Sequence, residues 1–428
     1  MKKTLILSYF FPPCNLTAAQ RIGSWANYLS EFGYYPIVVT RNWTGKEYTE
    51  QQRLESSGEA IRIEKNKNAE IHYLPYKATW RDRFFIKSNL SYLYLYLSKT
   101  LTAVNLIFQN FFIRFIPYNN LYHHARELLI NDKTIQVLII SGSPFEQFYF
   151  GYLLKKEFPN LKWIADYRDE WTTSEIIDFV GLKKWICSFQ IFSEKKWLKK
   201  ADLITANTNY ASEKLNSFLS KKTKKLLNGF DFELPSQNST LSFNTLKIVH
   251  NGTLYPSQDI SLLAEALNEI IIPNDFTVQI SFPGIKIYNE VAEKTEKAFK
   301  NTAISLLLTE RISSAEVLKM QLNADLLLMV AHKGKKGIIG SKLYEYIGLQ
   351  KRILLCPSDN DELEETLLST NLGIVVSEKE QLKLILKDLI AEKMKFGALT
   401  TNANIDEINI FNRKNQVKLL AEYINELE

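Results

Sequence analysis

The chain reads ADLLLMV at positions 324–330 and GSKLYEY at positions 340–346, with a glycine-spaced loop between them. The first stretch is a short apolar run typical of a buried strand, and the second begins a helix near Ser341. Glycines at 334, 337 and 340 let the backbone of the loop approach a ligand closely. The first turn of a helix presents free N–H groups and the positive end of the helix dipole. This strand–loop–helix unit therefore predicts an α/β fold with an anion site at the helix start.

The side chains at this helix start indicate which anion would fit. Lys342 stands in the first turn, where helices favour an acidic residue, so an anion such as a diphosphate would compensate its charge. Together with Gly340, Ser341 and Leu343 it forms the candidate phosphate site. Glu345 follows one turn later on the same face, where its carboxylate could accept two hydrogen bonds from ribose hydroxyls. The alternative for Glu345 is an ordinary surface glutamate.

Two series of short apolar strands alternate with helical stretches, which is typical of parallel sheets covered on both faces. A length of 428 residues also exceeds what one core accommodates. We therefore predict two doubly wound α/β domains, at 1–235 and 245–410, followed by a C-terminal helix at 411–428. The first series occupies 4–8, 35–40, 137–141, 163–166 and 201–206; the second occupies 246–251, 276–282, 304–308, 325–330, 352–356 and 373–376.

The composition argues against several other classes of protein. Lys+Arg 53 against Asp+Glu 47 leaves a formal net charge of +6, too small an excess to indicate a nucleic-acid partner. Cys14, Cys187 and Cys356 are widely spaced and odd in number, so they encode neither a disulfide framework nor a zinc site. The apolar run near the N-terminus is short and lacks a small-residue cleavage site, which predicts a first strand and not a signal peptide.

The segment 77–126 differs from the rest of the chain. It contains seven Lys and Arg residues against Asp82 alone, so its net charge of 7 − 1 = +6 equals that of the whole chain. It is also crowded with Trp, Tyr and Phe. A basic, aromatic, amphipathic helix pair is typical of proteins that bind an anionic membrane surface. The alternative is a helical insertion packed against the N-terminal domain, and both interpretations stay open at this stage.

A second candidate site follows the predicted strand LKWIAD, in the sequence DYRDEW at 166–171. Asp166, Arg168 and Asp169 stand beyond the carboxyl end of a strand, where α/β sheets place ligands. Two carboxylates around an arginine could hold a reacting hydroxyl group and serve catalysis. The alternative is a structural salt-bridge cluster at the strand end. The triplet Asp359-Asn-Asp361 has the DxD form of some metal sites, but we interpret it as a surface loop and predict no metal site.

In order and spacing, several motifs together resemble the retaining glycosyltransferases of family 4 and their GT-B relatives in surface-polysaccharide assembly. The resemblance runs nearly end to end. It implies a Rossmann-like, acceptor-binding N-terminal domain with Arg21 on the acceptor side, and a Rossmann-like, nucleotide-sugar-binding C-terminal domain, the two facing a cleft. It also implies that the final helix crosses back. The motifs are SYFFPP at 8–13 with the following helix, DYRDEW at 166–171, KKADLITANT at 199–208, LNGFD at 227–231, HNGTLYPSQD at 250–259 and GSKLYEYIG at 340–348.

Carried over residue by residue, the resemblance assigns Glu345 to the donor ribose, as the second Glu of the family's E-x7-E motif. The first Glu of that motif would stand at position 337, where this chain has Gly337. The family's basic pair after the first strand of the donor domain is also replaced, by Thr253 and Gln258. Lys342 is then the best-placed cation for the donor phosphates.

The remaining matches complete the expected donor site and activity. Gly252 keeps the family's close-approach role, and Arg311-Ile312 resembles the turn against the nucleobase. The resemblance implies transfer of a hexosyl or N-acetylhexosaminyl group from a nucleotide-sugar, UDP-linked, to a lipid-linked saccharide or polysaccharide. It further implies retention, no metal and no cofactor, in polysaccharide or lipopolysaccharide synthesis at the inner face of the cell membrane. The alternatives are a GT-B-type nucleotide-sugar epimerase and a non-catalytic subunit, the latter because of the departures at 253, 258 and 337.

Overall fold

The computed structural model describes residues 1–174, 182–232 and 241–427. It divides into two compact units. The first unit comprises Met1–Asn228 together with Arg413–Glu428, and the second comprises Gly229–Asn412. The chain thus leaves the first unit and returns to it with its last helix. Between the two predicted domains, residues 235–240 lie outside the described part of the chain.

An eight-stranded sheet forms the centre of the first unit. Its strands are β1 (Lys2–Leu7), β2 (Tyr34–Arg41), β3 (Arg62–Lys65), β4 (Glu70–Leu74), β5 (Ile135–Gly142), β6 (Lys162–Tyr167), β7 (Leu203–Ala206) and β8 (Thr223–Lys225). Their order is β3-β4-β2-β1-β5-β6-β7-β8, and every neighbouring pair is parallel except β3 with β4. The sequence does not reveal β3, because all four of its residues are exposed and the strand lacks an apolar face.

A six-stranded, wholly parallel sheet forms the centre of the second unit. Its strands are β9 (Thr245–Val249), β10 (Thr277–Phe282), β11 (Ile304–Leu308), β12 (Leu326–Met329), β13 (Arg352–Leu355) and β14 (Gly373–Val375). The order is β11-β10-β9-β12-β13-β14. This is the doubly wound order of a dinucleotide-binding fold, in which the chain starts at the centre and winds first to one side and then to the other.

Helices connect the strands in both units. Those of the first unit are α1 (Thr17–Tyr28), α2 (Glu50–Arg53), α3 (Trp80–Ile86), α4 (Tyr92–Phe108), α5 (Asn120–Asn131), α6 (Gln147–Glu157), α7 (Leu182–Leu198) and α8 (Asn209–Leu219). Those of the second are α9 (Ser261–Glu269), α10 (Asn289–Ala298), α11 (Ser314–Leu322), α12 (Ser341–Gly348), α13 (Glu362–Ser369), α14 (Lys379–Phe396) and α15 (Ile405–Ile410). The last helix, α16 (Arg413–Asn425), belongs to the first unit.

The central strands are apolar at consecutive positions because both faces of each sheet are buried. In β1, Leu5 and Leu7 join one hydrophobic cluster while Ile6 joins the cluster on the opposite face. All three side chains are fully buried. Since successive residues of a strand point to opposite faces, a continuous apolar run is what a strand covered by helices on both sides requires.

The basic aromatic segment 77–126 forms helices α3 and α4, which pack together, and the start of α5. Asp82 fastens this segment to the unit, because its buried carboxylate accepts hydrogen bonds from Tyr76 Oη and from the backbone and side chain of Thr79. By contrast, α4 buries little of its surface and leaves Tyr92 and Tyr96 well exposed. Among the described residues, no helix has the length and hydropathy needed to cross a bilayer.

Candidate functional site

The order of the second sheet reverses between β9 and β12. In open α/β sheets, ligands bind beyond the carboxyl ends of the strands at such a switch point. The segment after β9 contains His250 and Gly252, and the segment after β12 leads through the glycine loop to α12. The topology therefore brings together two motifs that stand some 90 residues apart in sequence, HNGTLYPSQD and GSKLYEYIG.

Helix α12 begins without a side chain that caps its amides. Gly340 is the N-cap residue and has no side-chain acceptor, and the first turn contains no acidic residue. Uncapped amides and the positive end of the helix dipole favour an anion at this position. Ser341 and Lys342 supply the first of these amides, so this helix start is suited to bind a phosphate group.

Asp361 holds the glycine loop that precedes α12. Gly337, at φ +66°, donates its N–H to Asp361 Oδ2 at 2.6 Å. Asp359 instead caps the next helix, accepting hydrogen bonds from the amides of Leu363 and Glu364 at 3.1 Å each. Both carboxylates of the DxD triplet thus serve backbone amides. Within the described ranges, no group of three or more His, Cys, Asp or Glu side chains is placed to hold a metal ion.

Lys342 is a partly buried cation without a counter-ion among the described residues. No carboxylate in that part of the chain lies within 4.0 Å of its Nζ, which hydrogen-bonds His250 Nε2 at 3.5 Å. Burial lowers the pKa of Lys342 to about 8, against a smaller opposing effect of the Glu345 charge. Because desolvation of an unpaired ammonium is unfavourable, an anion bound beside it would stabilise the charged form.

His250 orients the Lys342 ammonium. Its Nδ1 lies 2.9 Å from the carbonyl oxygen of Leu328. A carbonyl oxygen only accepts, so the proton resides on Nδ1 and the lone pair of Nε2 faces Lys342. Burial, and then the Lys342 charge, lower the pKa of His250 to about 3, so the imidazole is neutral at physiological pH. A neutral acceptor at this position stabilises Lys342 without cancelling its charge.

Gly252 is positioned where a side chain would crowd the end of Lys342. Its φ is +84°, and a Cβ built on it would lie 3.2 Å from Lys342 Nζ. The two replacements for the family's basic pair have structural contacts instead. Gln258 Nε2 donates to the carbonyl of Val330 at 2.6 Å, and the Thr253 hydroxyl donates to the carbonyl of Leu254 at 3.4 Å. Gln258 therefore ties the segment after β9 to the segment after β12.

A cavity of about 160 Å³ opens at the start of α12. The sequence predicts three of the residues that line it, Gly340, Ser341 and Lys342. Two lining histidines were not predicted as site residues, although His250 lies near the carboxyl end of the predicted strand 246–251 and begins the HNGTLYPSQD motif, which was an available signal. The cavity is lined by His250, Gln258, His332, Gly340, Ser341 and Lys342, among others.

The other residues predicted at the donor site do not line this cavity. Glu345 stands one turn further along α12 and is partly exposed. Leu343 is fully buried. Arg311 and Ile312 follow β11, two strands away from β9, with Arg311 exposed. A ligand that reached them from the cavity would have to extend across the carboxyl end of β10.

In the first unit, the structure brings Asp166 and Arg21 together in a buried ion pair. Arg21 Nη2 and Nε donate to the two oxygens of Asp166 at 2.7 and 3.1 Å. Ser141 and Thr205 donate a further hydrogen bond each, both at 2.7 Å. Asp166 is fully buried, so its carboxylate has four donors within the protein and none from solvent. This geometry supports a structural role, which joins β5, β6 and β7 to α1.

Arg21 also hydrogen-bonds the segment 226–228, where the N-terminal part of the first unit ends. Its guanidinium also donates to the carbonyls of Leu226 and Leu227 and to Asn228 Oδ1, at 2.8–3.1 Å. These residues precede and begin the LNGFD motif. Three widely separated motifs of the sequence thus meet at one buried guanidinium. We regard Arg21 as the residue that orders this end of the sheet.

Arg168 and Asp169 form a separate pair on the surface side of the DYRDEW motif. Arg168 Nη2 donates to Asp169 Oδ2 at 2.7 Å. The Asp169 side chain is 58% exposed, whereas that of Arg168 is 14% exposed. Of the two predicted carboxylates, Asp169 is therefore the one that a ligand from solvent can reach.

A buried glutamate hydrogen-bonds residues on both sides of this pair. No local sequence pattern predicts that contact. Glu194 on α7 is fully buried and accepts hydrogen bonds from Tyr167 Oη at 2.7 Å and Thr172 Oγ1 at 2.5 Å. Burial raises the pKa of Glu194 to about 7, because these two hydrogen bonds only partly compensate the lost hydration. Glu194 thereby couples α7 to both ends of the segment 167–172.

Comparison with known proteins gives a fold for the whole chain. No family model and no curated protein matches the sequence. Among solved structures, sucrose-phosphate synthase from Thermosynechococcus elongatus is 11% identical with a TM-score of 0.63, covering 100% of this chain and 99% of that one. Anabaena HepE, in complex with UDP and glucose, is 13% identical with a TM-score of 0.60 and full coverage of both chains. A glycosyltransferase from Rickettsia africae is 12% identical with a TM-score of 0.59, covering 100% and 99%.

These full-length similarities establish the class of fold. The chain has an α/β fold of the GT-B type, composed of two Rossmann-like units with parallel sheets. The fold class predicted from the sequence is thus confirmed. At identities of 11–13% the likeness defines the fold alone, and the activity has to be argued from the site.

Proposed function

We propose that this protein is a glycosyltransferase that uses a nucleotide-sugar, UDP-linked, as its donor. The observation that carries the proposal is Lys342, an ammonium without a carboxylate partner in the described chain, beside uncapped helix amides at the switch point of a doubly wound sheet. A diphosphate supplies the charge that this arrangement lacks. One solved protein of the same fold holds UDP and glucose, which is consistent with this choice of ligand.

Each donor-side residue has a role in this proposal. The amides of Ser341 and Lys342 and the Lys342 ammonium hold the diphosphate, while His250 orients the ammonium. Gly252 leaves room for the phosphates, and Glu345 binds the ribose hydroxyls. Arg311 and Ile312 contact the base at the end of β11. The carboxylate missing at position 337 is replaced by the loop backbone, which Asp361 holds in place.

In the reaction, the bond between the sugar's anomeric carbon and the diphosphate oxygen breaks, and a new bond forms to an acceptor hydroxyl. The nucleoside diphosphate leaves with an additional negative charge, which the Lys342 ammonium and the α12 amides stabilise. Asp169, paired with Arg168, is the candidate group that receives the hydroxyl proton on the acceptor side. With lysine and helix dipole neutralising the leaving group, we propose that no metal or cofactor is required. Retention at the anomeric carbon rests on the family resemblance.

The acceptor we propose is a saccharide carried on a lipid, or a polysaccharide, at the inner face of the cell membrane. The basic, aromatic character of segment 77–126 supports it, because that segment exposes Trp80, Tyr92 and Tyr96. Aromatic side chains of this kind settle at the headgroup level of a bilayer. The transferred group is of the hexosyl or N-acetylhexosaminyl type.

Replacing Lys342 with methionine is expected to weaken binding of UDP and UDP-glucose by roughly tenfold to a hundredfold, since a charge-assisted hydrogen bond to phosphate is lost. Binding of uridine, which has no phosphate, should be unchanged. Wild-type affinity for UDP should also fall as the pH rises above about 8, where free Lys342 loses its proton. Isothermal titration with the three ligands at several pH values measures both effects.

The matched control for this experiment is Lys336→Met, which removes an exposed lysine from the same loop. It should bind all three ligands like the wild type. An equal loss for UDP and uridine in the Lys342 variant would assign the lysine a structural role instead. No detectable nucleotide binding by the wild-type protein would contradict the proposed function altogether.

Replacing Gly252 with alanine is expected to reduce UDP affinity several-fold, because the new Cβ displaces the Lys342 ammonium. The matched control is Gly284→Ala. Gly284 has a similar φ of +87°, but a Cβ there would meet only the Cα of Gly252 at 3.6 Å. Both variants should lose about 1 kcal/mol of stability from the left-handed backbone. A comparable loss of UDP affinity in the two variants would show that backbone strain, and not displacement of Lys342, is responsible.

A further inference from the structure

Helix α7 presents an aromatic face to solvent. Trp185, Phe189 and Phe192 follow one another at i, i+4 and i+7, the spacing of one helix face. Trp185 is 70% exposed and Phe192 57% exposed. The opposite face carries Cys187, Glu194 and Trp197, all buried. One face of α7 is thus buried in the unit, while the other exposes large aromatic rings to solvent.

The chain just beyond α4 enlarges this surface. Phe111 packs edge-to-face on Phe189, with ring centroids 6.4 Å apart, and Phe189 packs on Trp185 at 5.8 Å. Phe111 and Phe112 are each more than 40% exposed. An open cavity of about 370 Å³ is lined by Phe111, Trp185, Ser188, Phe189 and Phe192. We call these five aromatic residues, Phe111, Phe112, Trp185, Phe189 and Phe192, the aromatic patch.

Every charged side chain that borders the aromatic patch on its two segments is basic. From residue 108 to 115 the one charged residue is Arg114, and the charged residues that α7 exposes from residue 184 onward are Lys184, Lys195 and Lys196. Lys196 Nζ lies 5.8 Å from the ring of Phe192, and the Arg114 guanidinium lies 5.5 Å from the ring of Phe112. In the described part of the chain, no carboxylate lies within 4.0 Å of the ammonium of Lys184 or Lys196.

We propose that the aromatic patch and its basic border are the surface by which this protein docks on an anionic phospholipid bilayer. Trp and Phe side chains insert at the headgroup level, and the lysines and Arg114 contact the lipid phosphates. A second copy of the chain does not suit this surface, because two such faces would oppose their lysines. Charge complementarity therefore favours an anionic bilayer as the occupant.

The same helix links the docking surface to the acceptor-side motif. Glu194 lies on α7 two residues beyond Phe192 and hydrogen-bonds Tyr167 and Thr172, which flank Arg168 and Asp169. Docking on the membrane through α7 would thus place Asp169 close to the lipid surface from which a lipid-linked acceptor projects. The statement that the acceptor is lipid-linked rests on the proposed function. Lipid binding itself can be measured without any nucleotide.

The test is co-sedimentation of the full-length protein with vesicles of phosphatidylcholine mixed with phosphatidylglycerol, and with phosphatidylcholine alone, at low and high salt. We expect the wild type to sediment with the anionic vesicles at low salt and to be released by high salt. Lys184→Gln with Lys196→Gln should lower the partition coefficient about fivefold per charge removed. Trp185→Ser with Phe192→Ser should lower it roughly tenfold or more.

The matched control is Phe396→Ser, which removes an aromatic ring that is 52% exposed and lies beneath Lys395 in the second unit. It should sediment like the wild type. An unaltered far-UV circular dichroism spectrum and a cooperative thermal unfolding transition establish that each variant is folded. If the aromatic pair sediments like the wild type, or the wild type stays in the supernatant with anionic vesicles, the proposal is overturned. A concentration-dependent dimer that the aromatic substitutions abolish would identify a second copy as the occupant and would also overturn it.

Vesicle binding and nucleotide binding test the docking surface and the proposed function separately. Loss of vesicle binding with intact UDP binding supports the docking surface and leaves the donor site as proposed. Vesicle binding by a protein that binds no nucleotide would support the docking surface while refuting the proposed function. Transfer from UDP-glucose to soluble acceptors alone, by a protein that ignores vesicles, would refute the docking surface and retain the glycosyltransferase.

Discussion

Replacement of Asp166 by alanine is expected to lower the free energy of unfolding of the first unit by about 3–5 kcal/mol, because it leaves the buried Arg21 guanidinium without its counter-ion. The Ser141 and Thr205 hydroxyls would also lose their acceptor. All seven tryptophans of the chain, at 25, 43, 80, 163, 171, 185 and 197, lie in this unit. Denaturant unfolding followed by tryptophan fluorescence therefore reports the first unit selectively.

Two comparisons separate this structural role from a catalytic one. Asp169→Ala removes a carboxylate that is 58% exposed and should change stability by less than about 1 kcal/mol. The double variant Arg21→Met with Asp166→Leu removes both charges of this buried pair and should recover part of the lost stability. If Asp166→Ala unfolds at the wild-type denaturant concentration but loses turnover, Asp166 acts in the chemistry and its buried ion pair contributes little to the fold.

The stability of the first unit is expected to fall between about pH 5 and pH 7, by roughly 3 kcal/mol from Glu194 alone. Burial raises the pKa of this carboxyl from 4.5 to about 7, so between those values the native state binds a proton that the unfolded state has lost. The contribution of Glu194 to stability is then fully present at low pH and is lost as the pH rises through this window. Glu194→Gln, which stays neutral, should remove the decline. Unfolding curves of both proteins at several pH values measure the difference.

The groups that face Glu194 and its position on α7 define the controls. Tyr167 and Thr172 donate to it, while Glu170 and Cys187 lie near enough to interact electrostatically. Glu213→Gln, at an exposed site on α8, should retain the wild-type slope. Glu194→Ala, which loses both hydrogen bonds, should be less stable than Glu194→Gln at every pH. A wild-type slope in the Glu194→Gln protein would mean that this carboxyl is already ionised in the native state below pH 7.

Much of the framework follows from local patterns in the sequence. Apolar runs such as LLLM at 326–329 have to be buried on both faces. The helices that alternate with these strands pack on the two faces of the sheet. A parallel α/β fold therefore follows from the pattern alone. The glycine loop and the start of α12 are equally local, because Gly340 and Ser341 define a helix start without reference to distant residues. These features depend on neighbours within a few residues, and the sequence predicts them for that reason.

The tertiary structure alone decided which distant side chains meet. His250 reaches Lys342 because β9 and β12 are neighbours in the sheet, and Asp166 meets Arg21 and Thr205 because β1, β5, β6 and β7 lie side by side. Asp166 and Asp169 stand in one sequence motif. In the fold, Asp166 forms a buried ion pair, whereas Asp169 is exposed. Strand order and burial arise from the packing of whole elements, which sums many small contacts across the chain, so no local pattern encodes them.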